Sequence, residues 1–210
     1  MTPLYRLDAP AAAVAAQFGA NAGADPWSGG HIAQAQFAPV ITAGREFIAG
    51  ARMERTPRRM VPRLWGVQPP HASQDTGRLV TTVRTINSPF WIGNLRNSEF
   101  RCIVPATAIM LWGRTDPATN KRRSHWFGCS DQRLFAMAGV WKDSDIPGFA
   151  LLTTVANAAL GEIGQHTMPV ILPADSAAQD VWLRGGWDRA QALLQPYSSS
   201  LMREVRPAAG

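Results

Sequence analysis

Cysteine, lysine and histidine are all scarce in this 210-residue chain, and each shortage excludes something. The two cysteines, Cys102 and Cys129, each sit in an apolar stretch without a CxxC neighbour. That excludes a disulfide framework and fits buried, reduced thiols. The four histidines, His31, His71, His125 and His166, lie too far apart for a local ligand motif, so no metal and no cofactor is expected. No apolar run reaches the length of about 18 residues that a spanning helix needs. The N-terminus lacks the basic, apolar and small-residue order of a signal peptide, although Ala11 to Ala16 is mildly apolar. The expected compartment is the cytoplasm, without membrane contact.

What is present is a globular composition, 46% hydrophobic and 17% charged, with no internal repeat, low-complexity tract or long linker. The expectation is one domain over residues 1–210, with residues 207–210 as a frayed tail. Basic residues outnumber acidic ones, 21 to 15, for a net charge of +6, and nearly all are arginine. Arginine's planar fork suits phosphate, and a basic surface attracts nucleic acid through counterion release. An Ala-, Arg-, Gly- and Pro-rich composition explains the same excess, so charge alone is weak support for DNA binding.

Short apolar and β-branched runs predict many strands. These are Met1 to Arg6, as a short strand or an extended N-terminus, two runs around a turn at Gly44, Met60 to Val67, Leu79 to Thr85, Phe100 to Thr107 and Ala108 to Arg114 as paired or bent strands, Ser124 to Cys129, Leu134 to Trp141, and Met202 to Val205. Helices are predicted over Ala9 to Phe18, from Pro89 to about Leu95, over Asp175 to Leu183 and over Trp187 to Leu194. Five arginines fall between Arg52 and Arg63; a solvated hairpin tip is the ordinary explanation and a phosphate-facing edge the sharper one. The sum is an α+β fold on a mostly antiparallel sheet.

The chain is organised around Phe149 to Leu172. An apolar run from Phe149 to Val155 predicts a buried strand. Asn157 can cap a short helix over Ala158 to Ile163. A polar turn, Gly164-Gln165-His166-Thr167, follows, and Met168 to Leu172 predicts a second strand, with Pro169 near its start. Such an order aims turn side chains into a cleft.

The residues Thr153-Thr154, Ala156-Asn157, Ile163, Met168 to Leu172 and Trp182-Leu183 together resemble the SRAP family, the SOS-response-associated peptidase-like proteins that process abasic sites in single-stranded DNA. Trp65, Gly66 and Pro69 extend the match, with Val67 in place of leucine and His71 in place of a second tryptophan. The resemblance implies a twisted, β-barrel-like core with peripheral helices. It also implies chemistry by an N-terminal cysteine whose amine and thiol condense with the abasic aldehyde, assisted by asparagine, glutamate and histidine.

Those positions are mostly substituted. Thr2 stands for the cysteine, Thr82 for the asparagine and Leu111 for the glutamate. Gln165 falls on the histidine position, with His166 beside it if the register carries an insertion. Leucine cannot transfer a proton, and a threonine hydroxyl is a much weaker nucleophile than a thiol. The resemblance therefore implies a divergent, degenerate member that binds single-stranded or damaged DNA through Trp65, His71, Arg84 and Arg101, without the thiol crosslink. The alternatives are crosslinking or autoproteolysis through Thr2, and a scaffold-only interaction protein.

Overall fold

Residues 4–44, 56–70 and 78–206 are described by the structure, a computed structural model. Leu4–Leu7 forms β1 and Ala11–Phe18 forms α1. The strands Ala20–Asn21 (β2), Gly30–Ala33 (β3), Phe37–Thr42 (β4), Arg58–Trp65 (β5) and Thr82–Val83 (β6) follow, then helix α2, Ile92–Arg96. The middle of the chain is strand-rich: Arg101–Ala106 (β7), Ala108–Thr115 (β8), Arg122–Cys129 (β9), Phe135–Lys142 (β10) and Gly148–Val155 (β11). Ala158–Glu162 (α3), Thr167–Pro169 (β12), Ser176–Arg184 (α4), Trp187–Gln191 (α5) and Met202–Val205 (β13) complete it.

Two sheets result. One runs β13-β9-β8-β1-β3 and is antiparallel throughout. The other runs β12-β11-β10-β7-β4-β5-β2 and returns on itself, because β11 also pairs with β5 in parallel, Gly148↔Leu64 and Phe149↔Trp65. The circuit β11-β10-β7-β4-β5-β11 is the barrel that the resemblance implied, and closure removes the free edges within it. Closure needs a bare backbone at Gly148, where a Cβ would stand 2.1 Å from the carbonyl oxygen of Gly66.

β7 and β8 are one strip of chain that changes sheet. Between them, Thr107 donates its amide and its hydroxyl to the Arg6 carbonyl, at 2.7 and 3.0 Å. The two runs are therefore not paired with each other, and each serves a different sheet. The core fills the space between the sheets: Tyr5, Ile32, Ile109, Leu111 and Phe127 from the outer sheet meet Trp65, Ile103, Val140 and Phe149 of the barrel in one buried cluster. Tyr5 and Trp65 touch edge to face at 5.1 Å, and Trp65 stacks against Phe149 at 6.4 Å.

Local expectations fare unevenly. Asn157 caps α3 as its residue type predicts, accepting from the Leu160 amide at 3.1 Å. Asp175 caps α4, accepting from Ala177 at 3.0 Å. The helix expected from Pro89 begins only at Ile92, and Leu79 to Thr85 shrinks to β6 with a bridge between Val80 and Val67. The second run after Gly44 lies outside the described residues, as do Arg52 and Arg55.

Arg58 departs from the picture of an arginine-rich hairpin tip. It is 7% exposed and held by Asp180 at 2.9 Å, by the Phe18 carbonyl at 2.9 Å and by Gln179 at 3.1 Å. It ties β5 to α1 and α4. Both cysteines are buried and unbridged, as expected.

Candidate functional site

The organising stretch keeps its strand–helix–turn–strand order, but the second strand is only Thr167–Pro169 and the turn lies against β8 instead of aiming into a cleft. β11 runs into α3, and the following turn crosses to the outer sheet, where Gln165 donates from Nε2 to the Trp112 carbonyl at 2.7 Å. Gly164, with φ +86°, packs against the Arg114 side chain: a Cβ there would come within 2.5 Å of Arg114 Cγ. The turn is thus clamped to the outer end of β8. His166 is exposed, and its backbone carbonyl accepts from the Ala156 amide at 3.0 Å. Of the two candidates for the histidine position, Gln165 is the one joined to β8.

Thr82 is half-buried on β6, opposite Leu151 of β11, and Thr153 donates its hydroxyl to the neighbouring Val83 carbonyl at 3.0 Å. Thr82, Leu111 and Gln165 therefore sit on one connected unit, made of β6, β11, the α3 turn and β8. Thr2 and His71 lie outside the described residues.

Leu111 is fully buried and belongs to the main apolar cluster. Its cross-strand partner is His125 of β9. Directly opposed residues present their side chains on the same sheet face. His125 therefore shares Leu111's face, and Gly113, two residues further along β8, leaves room for the ring. A Cβ at Gly113 would lie 2.7 Å from His125 Nε2.

On the far side of β9, His125 Nδ1 is 2.9 Å from the Glu204 carboxylate of β13. The imidazole side chain is 14% exposed and that of Glu204 is 48% exposed. Nε2 has no hydrogen-bond partner among the described residues. Sequence reasoning passed over this pair. Their separation in sequence hides it, and only the register of β8, β9 and β13 brings it together.

Two residues expected to touch DNA are core residues, and both expectations are corrected. Trp65 has no exposed surface, and its indole N–H donates to the Thr81 carbonyl at 3.1 Å. It cannot offer a face to a base. Arg101 is likewise without exposed surface. Its guanidinium donates to the Gly185 carbonyl at the end of α4 and lies 5.6 Å from the Trp182 ring centre. Burial without a carboxylate lowers its pKa to about 10, so it stays charged at neutral pH. It supports the C-terminus of a helix, where a cation is favoured.

Arg84 is exposed. A second basic group stands on the β8–β9 hairpin, where Arg114, Lys121, Arg122 and Arg123 are exposed and Asp116 is the nearby acid in sequence. Among the described residues no ion pair engages Arg114, Lys121 or Arg123. Trp112, on the opposite face of β8 from Leu111, is 37% exposed beside them. Among the described residues no group of histidine, cysteine and carboxylate side chains is arranged to hold a metal, and no helix is long and apolar enough to cross a membrane.

Comparison with known proteins bears on this frame. Two curated relatives, the abasic site processing protein YoqW of Bacillus subtilis (strain 168) and its namesake from Bacillus phage SPbeta, are each 32% identical over 111 residues. That alignment covers 49% of this chain and 47% of each relative, so the chain spans about half the length of the curated relatives it matches. A crystal structure of a protein from Bacteroides thetaiotaomicron superposes with a TM-score of 0.76 at 20% identity, covering 97% of this chain and 92% of that one. A phage-related protein from Bordetella bronchiseptica gives 0.70 at 17% identity, covering 98% and 94%. These likenesses show a shared fold. The family model of the SOS response associated peptidases matches residues 1–208, and the chain belongs to that family, SRAP.

Proposed function

We propose that this protein binds single-stranded or abasic DNA and does so without the thiol-based crosslink. The observation that carries this reading is Leu111. At the place where the resemblance implies a proton-transferring glutamate, the chain has a fully buried leucine in the apolar core. Thr2 replaces the thiol in the sequence. The name of the curated relatives, abasic site processing protein, supports DNA as the partner. The exposed Arg84 and the hairpin residues Arg114, Lys121 and Arg123 supply charge for a phosphate backbone. Trp65 and Arg101, being buried, are not part of this surface.

The test pairs two measurements on the full chain. Fluorescence anisotropy with a labelled single strand, with and without one abasic site, is recorded at graded salt. Affinity falling linearly with log salt is expected; salt-independent affinity or none argues against phosphate binding. Intact-mass spectrometry after incubation with the abasic strand is expected to show no covalent adduct. An adduct would restore the reading in which Thr2 reacts.

A further inference from the structure

We propose that a groove at the opposite end of the outer sheet from the β8–β9 hairpin is a docking site for an extended peptide segment, one in which an aliphatic residue is followed by lysine or arginine. Two hollows meet there. One, of about 370 Å³, is lined chiefly by apolar groups, among them Ile171, Pro173, Leu193 and Leu201. The other, of about 550 Å³, lies between α1 and the turn after β9, with Pro10, Gln17, Gln132 and Arg133 on its walls. Asp131 and Ala174 line both, so the two hollows form one groove.

Asp131 is the charge at the junction. It is exposed and makes no ion pair among the described residues. Tyr197 donates its hydroxyl to the carboxylate, 2.7 Å from each oxygen, and accepts from Gln132 Nε2 at 3.0 Å. Burial, then the bond to Asp131, raises the pKa of the phenol above its ordinary value, so it remains a donor. One proton leaves most of the lone pairs of a carboxylate open. The walls are also held. The Tyr197 carbonyl accepts from Asn157 Nδ2 at 2.7 Å, and the Leu201 carbonyl accepts from the Ser130 amide at 2.8 Å and its hydroxyl at 3.1 Å. A site fixed in this way loses little freedom on binding.

Charge selects the occupant. The chain carries +6 overall, yet the group fixed between the hollows is a carboxylate. Asp8, in the second hollow, is already paired with Arg6 at 2.6 Å. The cation for Asp131 therefore comes from the partner. The apolar hollow beside it takes an aliphatic side chain, and Arg133 offers donors to carbonyl groups of the continuing backbone. An apolar anchor next to a complementary charge combines affinity with specificity. A phosphate backbone would meet Asp131 with the wrong sign. Thr107, which lines the groove, and Arg114 are separated by most of β8, roughly 20 Å at about 3.3 Å per residue. Peptide binding here is thus independent of the DNA reading.

The test uses the full chain and the fluorescein-labelled hexapeptide Gly-Ser-Leu-Lys-Ser-Gly, followed by anisotropy and by backbone ¹⁵N shifts. Saturable binding is expected, with shifts at Asp131, Gln132 and Leu193. Gly-Ser-Leu-Glu-Ser-Gly and Gly-Ser-Ser-Lys-Ser-Gly are expected to bind more weakly. Asp131→Asn keeps an acceptor for Tyr197 and is expected to lose about fivefold in affinity, the upper range for an exposed charge pair, at an unchanged melting temperature. Ala174→Trp plugs the junction without touching the charge and is expected to abolish binding. Both variants should keep the wild-type response to single-stranded DNA. No saturable binding, equal binding of the glutamate peptide, or full binding by both variants overturns the proposal. Displacement of the peptide by single-stranded DNA also overturns it, since that places the peptide on the basic surface.

Discussion

Arg101 lies 5.6 Å from the ring centre of Trp182 and holds the Gly185 carbonyl, so a residue whose type suggests phosphate recognition instead fixes the end of α4 to β7. Arg101→Ala is expected to leave that carbonyl and a cavity unsatisfied. Unfolding in urea should report a loss of about 1–3 kcal/mol. DNA affinity at low temperature should stay at the wild-type value, measured by anisotropy.

Arg84 carries the opposite expectation. It is exposed and makes no ion pair among the described residues. Arg84→Ala should leave the melting temperature unchanged and weaken single-strand binding. If its guanidinium sits on one phosphate, the slope of log affinity against log salt falls by about 0.7. An unchanged slope removes Arg84 from the interface.

Gly148 supports the barrel seam. A methyl group there would meet the Gly66 carbonyl oxygen at 2.1 Å, and both partners are backbone. Gly148→Ala is expected to destabilise by about 1–3 kcal/mol or more, the range for overpacking a close contact. Denaturant midpoint reports it. A neutral substitution would mean that the seam opens without cost.

Cys129 is 3% exposed, and burial, followed by the Asp131 charge, pushes its thiol up to about 12. A thiol with a raised folded-state pKa contributes stability that is complete below its ordinary value of 9.0 and is lost as pH rises toward 12. Folded protein should react slowly with a thiol reagent at pH 8. Alkaline destabilisation between pH 9 and 12 should be shallower in Cys129→Ala, followed by thermal melting across that window.

Much of the frame was legible in the residues. The strand–helix–turn–strand order of Phe149 to Leu172 is visible because Asn157 supplies a local cap and the flanking runs are long and apolar. The burial of Trp65 and Arg101 was not. A tryptophan or arginine on a strand looks the same whether it faces the core or solvent, and the barrel's closure through the parallel β5–β11 pairing is a long-range event. The arginine cluster misled for the same reason, since Arg58 finds its carboxylate 122 residues away. His125 and Glu204 were missed because their meeting depends on register across three strands and not on spacing along the chain.

Closure of the barrel also separates durability from chemistry. The contacts that lock the ring belong to Leu64, Trp65, Gly148 and Phe149, and none of these is among Thr82, Leu111 and Gln165. Leu111, Gln165 and His125 occupy the neighbouring sheet and its clamped turn, held in place but not asked to hold the ring. Substitutions at those positions can therefore accumulate without loosening the ring.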